Sequence, residues 1–464
     1  MRHNLPEKII KSQSQACKLA IKNLLLKVFI EKRPADKALS DFFRNNKQYG
    51  SRDRRLMLDI SFAVFRWWGW LKKLLPRDVI SQLDCQRGSI ESNTDTFKLS
   101  NKHLSMLLIE ACILDRLETI PKEMLSIWAK DAGIKLTSRL LSDSIDDIVQ
   151  SGVRSFTELN HSALNNQNVK PSVSELIPEC APALFPSGIN LNRLIACFQR
   201  RPPMWLRAQT ENISDLLKKL KKLNMDAHLS DTVKGAIYIN DPRINLYTLE
   251  EFRKGLFEVQ DLASQAIGLI CNPSPGERWW DSCAGAGGKS LQLSFLMKGK
   301  GSVTASDIRE YKLDDLKKRA RRANASNIRC SSWDGKALKL KKQNNFDGVL
   351  VDAPCSCSGT WRRNPDAKWN ITLNGVKEIS KIQTKVLQNA ATGVKPNGVL
   401  VYATCSIFDE ENQTIIDKFL KNNQNFELEL FINPLTGKKT NGTVQVFPWD
   451  GDCDATFIAK FRKK

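Results

Sequence analysis

The chain has 464 residues, more than one ordinary hydrophobic core requires, so two or three domains are expected. Its hydrophobic fraction of 41% excludes a largely disordered protein. Lysine and arginine total 71 against 50 acidic residues, which gives a net charge of +21. A surplus of this size favours a polyanionic partner, chiefly nucleic acid, over the alternative of a basic surface that serves only solubility.

The composition also bears on the compartment. Twelve cysteines are scattered along the chain, and the first 15 residues contain Pro6 and Glu7 without the apolar stretch of a secretory leader. The longest apolar run, residues 106–114, includes Glu110 and is shorter than the roughly 20 residues of a membrane span. We therefore expect a cytoplasmic protein with free thiols and no membrane partner.

Residues 12–150 have apolar side chains at helical spacing, which predicts an all-α region. A polar, basic link at residues 50–55 separates two of its helices, and Ser51 or Asp53 is expected to cap the second helix. We expect the three tryptophans between positions 67 and 70 to fill the helical core. The arginines of the link either contact RNA or are merely solvated, and the sequence favours neither.

Residues 151–190 are rich in Ser, Asn and Pro and are typical of a linker. A small mixed unit follows, with a predicted strand at 204–208, a helix at 212–222 and a second strand at 235–240. This pattern predicts a small α+β domain between the helical region and the rest of the chain.

From about residue 255, short apolar runs alternate with helical segments. The predicted strands are residues 278–282, 302–306, 348–351 and 399–403. This alternation predicts an α/β, doubly wound, mostly parallel sheet, on which ligands bind at the carboxyl ends of the strands. The expected domains are therefore 1–150, 151–254 and 255–464.

A glycine-rich loop follows the first of these strands. It consists of Cys283, Ala284, Gly285, Ala286, Gly287, Gly288 and Lys289. Asp307 ends the next predicted strand, where an acidic residue can accept hydrogen bonds from ribose hydroxyls. Asp334 follows the third strand and is a weaker candidate, as an acceptor for an adenine amino group. The loop lacks the order of a triphosphate-binding loop, so we expect a nucleoside cofactor; the alternative is a purely structural turn.

Two cysteine motifs end the last two predicted strands: residues 352–356 (Asp-Ala-Pro-Cys-Ser) and 404–406 (Thr-Cys-Ser). Because both follow strands of one sheet, we expect Cys355 and Cys405 to lie close together. A thiolate that adds to C6 of cytosine makes C5 able to accept a methyl group, and it later leaves easily. Asp352 is placed to bind the N4 and N3 edge of a base that has been unstacked.

These cysteines have two alternative explanations. Cys355 and Cys357 form half of a possible metal site, but no second close pair is visible and the chain has only four histidines, so no metal is expected. A cysteine can also be a small core residue, which fits Cys17, Cys112, Cys197 and Cys271. That explanation fits Cys355 and Cys405 poorly, since both lie among polar residues at strand ends.

With these residues in view, the chain resembles the RNA (cytosine-5) methyltransferases along nearly its whole length. It is most similar to the bacterial branch that methylates small-subunit ribosomal RNA, the methyltransferase B type. The similarity is carried by residues 255–265, 352–366, 402–407 and 447–457, and by residues 35–39 and 50–55, which resemble a helical NusB-like RNA-binding domain.

The resemblance implies S-adenosylmethionine as cofactor and RNA, most of all 16S ribosomal RNA, as partner. It implies that Cys405 is the nucleophile and that Cys355 assists product release. Residues 283–289, Asp307, Asp334 and Asp352 would line the methyl-donor site, and Asp352 would also lie near the base. This family usually has Ala-Ala-Pro at positions 284–286 and glycine at 357, whereas this chain has Ala-Gly-Ala and Cys357.

Three competing functions remain open at this stage. A DNA cytosine-5 methyltransferase would use Cys355 as nucleophile. A transfer RNA methyltransferase would share the chemistry but not the substrate, and a non-catalytic RNA-binding assembly factor would keep only the fold. Adduct formation by cysteine variants and cofactor binding by calorimetry would separate these functions.

Overall fold

A computed structural model of the chain describes residues 6–84, 97–134, 152, 171–240, 245–339 and 343–464. Contacts group the chain into two compact units. The helical unit consists of Met1–Ala183, Gly188–Arg201 and Trp361–Ile371. The sheet unit consists of Leu184–Ser187, Pro202–Thr360 and Thr372–Lys464. The division into 1–150, 151–254 and 255–464 stays a prediction, and nearly half of the expected linker, residues 151 and 153–170, lies outside the described residues.

The described part of the helical unit is built from amphipathic helices that bury their apolar faces against each other. Its helices are α1 (Glu7–Leu25, continued by a π-helical turn, Leu26–Ile30), α2 (Ala35–Asn45), α3 (Ser51–Leu71), α4 (Arg77–Asp84), α5 (Asn101–Leu114), α6 (Lys122–Ala132) and α7 (Leu191–Phe198). Helix α3 packs against α1 and α5, and α5 packs against α6. No helix among the described residues is both long enough and apolar enough to cross a bilayer.

Helix α3 begins differently from the prediction. Its first residue is Ser51 and its N-cap is Gly50, so Ser51 does not cap it. The Asp53 carboxylate instead accepts a hydrogen bond from the Gly50 backbone N–H at 3.0 Å, so the backbone N–H of the N-cap residue has a partner. The three tryptophans between 67 and 70 are buried, as a core role requires, and Trp67 Nε1 donates to Asp115 at 3.1 Å.

The segment Trp361–Ile371 is part of the helical unit, although its sequence continues the first cysteine motif. The ammonium of Lys368 is buried and donates to the backbone carbonyls of Arg66 (2.9 Å) and Leu176 (2.8 Å). Burial lowers the pKa of Lys368 well below its usual range. The Asp366 carboxylate accepts from the backbone N–H of Ala35 at 2.8 Å. This segment is therefore held inside the helical unit by hydrogen bonds to other residues of the same unit.

The sheet unit starts with a small antiparallel sheet of strand order β2-β3-β1-β4. Its elements are β1 (Met204–Ala208), α8 (Ile213–Lys222), β2 (Ala227–Leu229), β3 (Ala236–Ile239), α9 (Glu250–Arg253) and β4 (Phe257–Val259). The predicted strand at 204–208 matches β1. Strand β4 lies beyond residue 254 and pairs with β1, which joins the predicted small domain to the residues that follow it.

The large sheet has the order β10-β12-β9-β8-β5-β6-β7, with β11 paired to β12. The five strands from β9 to β7 are parallel, while β10, β11 and β12 are antiparallel additions. The elements are α10 (Leu262–Cys271), β5 (Arg278–Asp281), α11 (Gly288–Leu296), β6 (Ser302–Asp307), α12 (Glu310–Arg322), β7 (Ile328–Ser332), β8 (Phe346–Asp352), α13 (Leu373–Ala391), β9 (Val394–Thr404), α14 (Gln413–Asn422), β10 (Phe426–Leu428), β11 (Thr443–Val446) and β12 (Thr456–Lys463).

The apolar runs that suggested strands form the core of this sheet. Val349 and Leu350 of β8 and Leu400 and Val401 of β9 are fully buried, as expected for parallel strands covered on both faces. The predicted class, an α/β doubly wound, mostly parallel sheet with a helical N-terminal region, is confirmed.

Candidate active site

The two cysteine motifs meet at the carboxyl edge of the large sheet. Strands β8 and β9 are parallel neighbours, and Asp352, the last residue of β8, pairs in register with Ala403 of β9. Cys355 and Cys405 therefore leave the sheet on adjacent strands. Their Sγ atoms lie 3.3 Å apart. The structure thus brings together the two thiols that the sequence singled out.

A third thiol joins this pair. The Sγ atoms of Cys355, Cys357 and Cys405, hereafter the thiol cluster, all lie within 4.8 Å of one another. Cys357 has a φ of +58°, in the left-handed region that favours glycine. This backbone geometry explains why the resembling family usually has glycine at the position. In this chain the same turn directs a thiol toward the other two.

The thiol cluster ionises as a group. Hydrogen bonds from Cys355 and Cys405 stabilise a thiolate at Cys357 and lower its pKa to about 3. The hydrogen bond between Cys355 and Cys357 raises the pKa of Cys355 well above its usual range. The hydrogen bond with Cys405 and burial raise it further. For Cys405, a hydrogen bond from Cys355 lowers the pKa, but the interaction with Cys357 and burial raise it more strongly. The cluster therefore accepts one negative charge readily and resists a second.

A buried carboxylate, which sequence analysis missed, holds the two cysteine loops together. Glu411 accepts hydrogen bonds from the backbone N–H (2.7 Å) and hydroxyl (2.5 Å) of Ser356 and from the hydroxyl of Ser406 (2.5 Å). Gln383 of α13 also donates to Glu411, at 3.1 Å, and to the backbone carbonyl of Pro354, at 2.9 Å. Because Ser356 and Ser406 each follow one of the cysteines, this Glu411 network fixes the spacing of the thiols. Burial raises the pKa of Glu411, although the hydrogen bonds from both serines oppose the shift.

The only sequence signal for Glu411 is its position a few residues after the second cysteine motif. Acidic residues in such a place are usually solvated, so the sequence alone gave no reason to expect a buried carboxylate.

Asp352 faces the glycine-rich loop. Its carboxylate pairs with Lys289 at 2.7 Å, and both side chains are largely buried. Burial by itself lowers the pKa of Lys289, but the Asp352 carboxylate raises it by more. The net shift is upward, so the ammonium stays charged. The pairing links the predicted base-binding residue to the predicted cofactor loop.

The loop itself has the tight geometry that its glycines suggested. Gly285 and Gly287 both have positive φ, +53° and +84°. A Cβ on Gly287 would lie 2.3 Å from Cγ of Leu316, so no other residue fits there without displacing α12. The Gly287 N–H bonds to the Ala284 carbonyl at 2.8 Å, which closes the turn.

Two arginines hold the outer side of this loop. Arg319 of α12 donates to the Ala286 carbonyl at 2.8 Å, and buried Arg207 of β1 donates to the Gly288 carbonyl at 2.8 Å. Burial lowers the pKa of Arg207 to about 9. The Ala-Gly-Ala sequence at 284–286, which departs from the family pattern, is therefore braced by side chains from outside the loop.

Asp307 ends β6, as predicted, and is tied to the same loop. Its carboxylate accepts from the Gly285 backbone N–H (2.9 Å) and from Arg309 through the backbone N–H (2.9 Å), Nε (3.0 Å) and Nη2 (3.1 Å). Burial raises the pKa of Asp307, but these hydrogen bonds and the Arg309 charge lower it overall. A ribose hydroxyl would have to compete with the Arg309 guanidinium, whose side chain is about half exposed.

Asp334 lies just beyond β7, at the same edge of the sheet. Its carboxylate is bonded to Nζ (2.7 Å) and to the backbone N–H (3.1 Å) of Lys336. These bonds lower the pKa of Asp334. The preceding residue, Trp333, donates its backbone N–H to the Asp307 carbonyl at 3.5 Å, so the loop that carries Asp334 adjoins the end of β6.

Asp281 is a second buried carboxyl that sequence reasoning left without a role. It ends β5, and its Oδ2 accepts from the Ser290 hydroxyl at 2.6 Å. Its Oδ1 is buried and has no hydrogen-bond partner among the described residues. Burial raises the pKa of Asp281 to about 7. This unpaired oxygen beside the glycine-rich loop, together with Asp307, fits a nucleoside cofactor that brings polar donors to the site.

The comparisons with known proteins agree with this geometry. Residues 268–462 match the family described as 16S rRNA methyltransferase RsmB/F. Ribosomal RNA small subunit methyltransferase B of Yersinia pestis is 31% identical over 425 residues, which cover 90% of this chain and 92% of that relative. The chain belongs to the RsmB/F family.

Two further comparisons cover shorter stretches. The enzyme of the same name from Pasteurella multocida is 32% identical over 283 residues, and the chain spans only 62% of that relative's length. The crystal structure of a methyltransferase homolog from Pyrococcus horikoshii superposes with a TM-score of 0.52 at 27% identity, covering 60% of this chain and 92% of that one. The predicted family, RNA methyltransferases of the small-subunit methyltransferase B type, and the predicted enzyme class, an S-adenosylmethionine-dependent RNA methyltransferase, are thereby confirmed.

Proposed function

We propose that this RsmB/F-family chain transfers a methyl group from S-adenosylmethionine to C5 of a cytosine in RNA. The observation that carries the proposal is the 3.3 Å contact between Cys355 and Cys405, beside a glycine-rich loop at the carboxyl edge of a methyltransferase sheet. The relatives' name, ribosomal RNA small subunit methyltransferase B, supports 16S ribosomal RNA as the substrate. The net charge of +21 suits a polyanionic partner.

The cysteines supply the covalent part of the reaction. Cys405, as thiolate, adds to C6 of the cytosine, and the electron pair of the C5–C6 double bond makes C5 nucleophilic. S-adenosylmethionine, when bound, supplies an electrophilic methyl group. Breaking the donor's S–CH3 bond leaves its electron pair on the departing S-adenosylhomocysteine. After the adduct has formed, Cys355 loses its own proton to solvent. As a thiolate it then takes the proton from C5, the electrons re-form the C5–C6 double bond, and the Cys405 sulfur leaves as thiolate.

Ionisation of Cys405 prepares the nucleophile. In the resting thiol cluster the negative charge lies on Cys357, and the pKa values of Cys355 and Cys405 are raised, so Cys405 must give up its proton before it attacks. Two nearby thiolates are disfavoured, so the attacking and the proton-accepting sulfur are charged in turn. The Glu411 network acts on this step only by positioning the two sulfur atoms.

Polar residues around the thiols would bind the two substrates. The Asp352 carboxylate accepts from the cytosine amino group, and Lys289 pairs with that carboxylate at 2.7 Å. Residues 283–289 would form the turn that approaches the methyl donor. Asp307 and Asp334 would accept hydrogen bonds from the nucleoside of that donor. Asp352 would lie between the methyl donor and the cytosine. Binding to Asp307 requires the Arg309 guanidinium to move aside.

The deciding experiment is adduct trapping with Cys355→Ala expressed in cells. This variant attacks but cannot release product, so we expect RNA to stay covalently attached after denaturing purification, with one enriched cytosine on sequencing. The double variant Cys355→Ala/Cys405→Ser is the matched control and should trap nothing. Trapping by Cys405→Ser instead would make Cys355 the nucleophile, as in DNA cytosine-5 methyltransferases, and would overturn the assignment.

A non-catalytic RNA-binding factor is the second candidate, because Arg309 fills the acceptor positions of Asp307. Calorimetry separates the two functions. Measurable S-adenosylmethionine affinity, with or without RNA, supports the enzyme. No affinity in either condition, for a folded protein, supports the assembly factor. If the trapped cytosine lies in transfer RNA, the proposed chemistry still holds, but the substrate is transfer RNA and not 16S ribosomal RNA.

A further inference from the structure

We propose that the thiol cluster of Cys355, Cys357 and Cys405 is a binding site for one soft, thiophilic metal cation of the Cd(II) or Cu(I) kind. Bound there, the cation withdraws the Cys405 sulfur from reaction. The site itself follows from geometry and donor chemistry, while only its inhibitory effect rests on the proposed function.

The distances suit three-sulfur coordination. Sulfur atoms held at about 2.3 Å around one ion in a trigonal plane lie about 4 Å apart. The three Sγ atoms already lie within 4.8 Å of one another, and those of Cys355 and Cys405 are 3.3 Å apart. Side-chain adjustments of less than about 1 Å therefore bring all three sulfurs to coordination distance.

The donor set selects the class of ion. All three ligands are thiols, with no imidazole or carboxylate among them, and such a set prefers soft cations over Mg²⁺, Ca²⁺ or Mn²⁺. The sequence shows only two thiol ligands close together, Cys355 and Cys357. The third ligand, Cys405, comes from the end of another strand. The parallel pairing of β8 and β9 supplies it.

Cys357 is the member that the methyl-transfer chemistry leaves unexplained. The adduct mechanism uses two thiols, Cys405 for attack and Cys355 for release. Cys357 adds a third from a left-handed backbone position, φ +58°, that a side chain adopts only at a steric cost. Backbone strain at a reactive centre points to a function for the strained side chain, and a third metal ligand is such a function.

The test is titration of the reduced, metal-free full-length protein with Cd(II) alone. Equilibrium dialysis gives the stoichiometry and affinity, and the ultraviolet thiolate-to-cadmium charge-transfer band reports the number of sulfur ligands. We expect one tight ion with three sulfurs in the wild type. Cys357→Gly, which suits the backbone, and Cys357→Ser, which keeps the side chain's size, should each weaken that affinity by at least about 10-fold.

Cys330→Ser is the matched control, because Cys330 is a half-buried cysteine of the same unit that lies outside the cluster. It should leave the tight site unchanged. Equal cadmium affinity and equal charge-transfer intensity in the wild type and both Cys357 variants would overturn the proposal, and so would a tight site lost in Cys330→Ser.

Activity is measured separately, so that the two proposals can fail separately. The methylation rates of metal-free wild type and metal-free Cys357→Gly are measured first, and inhibition of each protein is expressed relative to its own metal-free rate. Cd(II) should inhibit the wild type, a chelator should restore it, and the variant should need at least about 10-fold more Cd(II). Absence of methylation by the metal-free wild type would count against the proposed function, while the cadmium titration would still decide the metal site. Equal sensitivity of the variant would refute inhibition through the cluster.

Discussion

The Sγ atoms of Cys355 and Cys405 lie 3.3 Å apart although the residues are 50 positions apart in the chain. Two features produce this contact. The parallel pairing of β8 with β9 brings the two strand ends side by side, and Glu411 bonds to the serine that follows each cysteine. The proposed nucleophile and the proposed releasing group are thus positioned by one sheet register and one buried carboxylate.

Cys405→Ser should abolish methylation while the protein stays folded, because a serine hydroxyl does not form the required nucleophile at neutral pH. We expect a rate loss of at least about 1,000-fold, as for other nucleophile replacements. Methyl incorporation into RNA measures this loss, and thermal unfolding verifies the fold. A near-normal rate would remove Cys405 from the mechanism. Cys330→Ser, which changes a cysteine outside the cluster, should keep full activity.

Glu411→Gln tests the positioning of the two cysteine loops. Its amide offers one acceptor oxygen where the carboxylate offers two, so at least one of the bonds from Ser356 and Ser406 is lost. We expect kcat to fall by about 10-fold or more while the affinity for S-adenosylmethionine stays unchanged, and the free energy of unfolding to drop by about 1–3 kcal/mol. Slower formation of the RNA adduct separates positioning from simple destabilisation.

Glu410→Gln is the matched control for that experiment, since Glu410 precedes Glu411 but has no bond to either serine. If both variants lose stability and activity equally, the effect belongs to the loop in general and Glu411 has no special positioning role.

Asp307→Ala should weaken cofactor binding about 10- to 100-fold, because it removes a charged acceptor for ribose hydroxyls. Calorimetry with S-adenosylmethionine measures the change. Arg309→Ala provides the opposite test: it frees the same carboxylate from its present partner and should keep or improve the affinity. Unchanged affinity in Asp307→Ala would exclude Asp307 from the site.

The buried Asp281 predicts a pH-dependent stability. Burial raises its pKa to about 7, so the folded protein keeps a proton that the unfolded chain releases near pH 4. Between these values the unfolded chain binds fewer protons, and the free energy of unfolding falls as the pH rises. The wild type should lose up to about 4 kcal/mol over this range relative to Asp281→Asn, which cannot ionise. Urea unfolding at a series of pH values measures the difference, and parallel curves for the two proteins would show that Asp281 does not titrate in this way.

Local patterns in the sequence were enough to place the main chemical groups. The buried strands of the large sheet are short apolar runs, so their ends could be predicted, and with them the positions of Cys355, Cys405 and Asp307. The glycine-rich loop was also predictable, since the positive φ values of Gly285 and Gly287 are properties of glycine itself. These inferences need only neighbours in the chain.

Other features depended on contacts between residues far apart in the chain. Glu411 and Arg309 look like ordinary surface charges in the sequence, yet one is fully buried between the cysteine loops and the other closes over Asp307. Residues 361–371 continue the first cysteine motif but belong to the helical unit. The sequence also gave no sign that Cys357 would meet Cys405.

The physical reason is the same in each case. Periodicity and propensity determine how a segment folds and which of its faces is apolar, because both act within a few residues. Which carboxylate is desolvated, and which thiols share a charge, depends on strand register and on packing partners from other segments. The sequence by itself therefore determined the fold class, the strand ends and the reactive residue types. Only the tertiary structure decided their distances, their ionisation and the third thiol of the cluster.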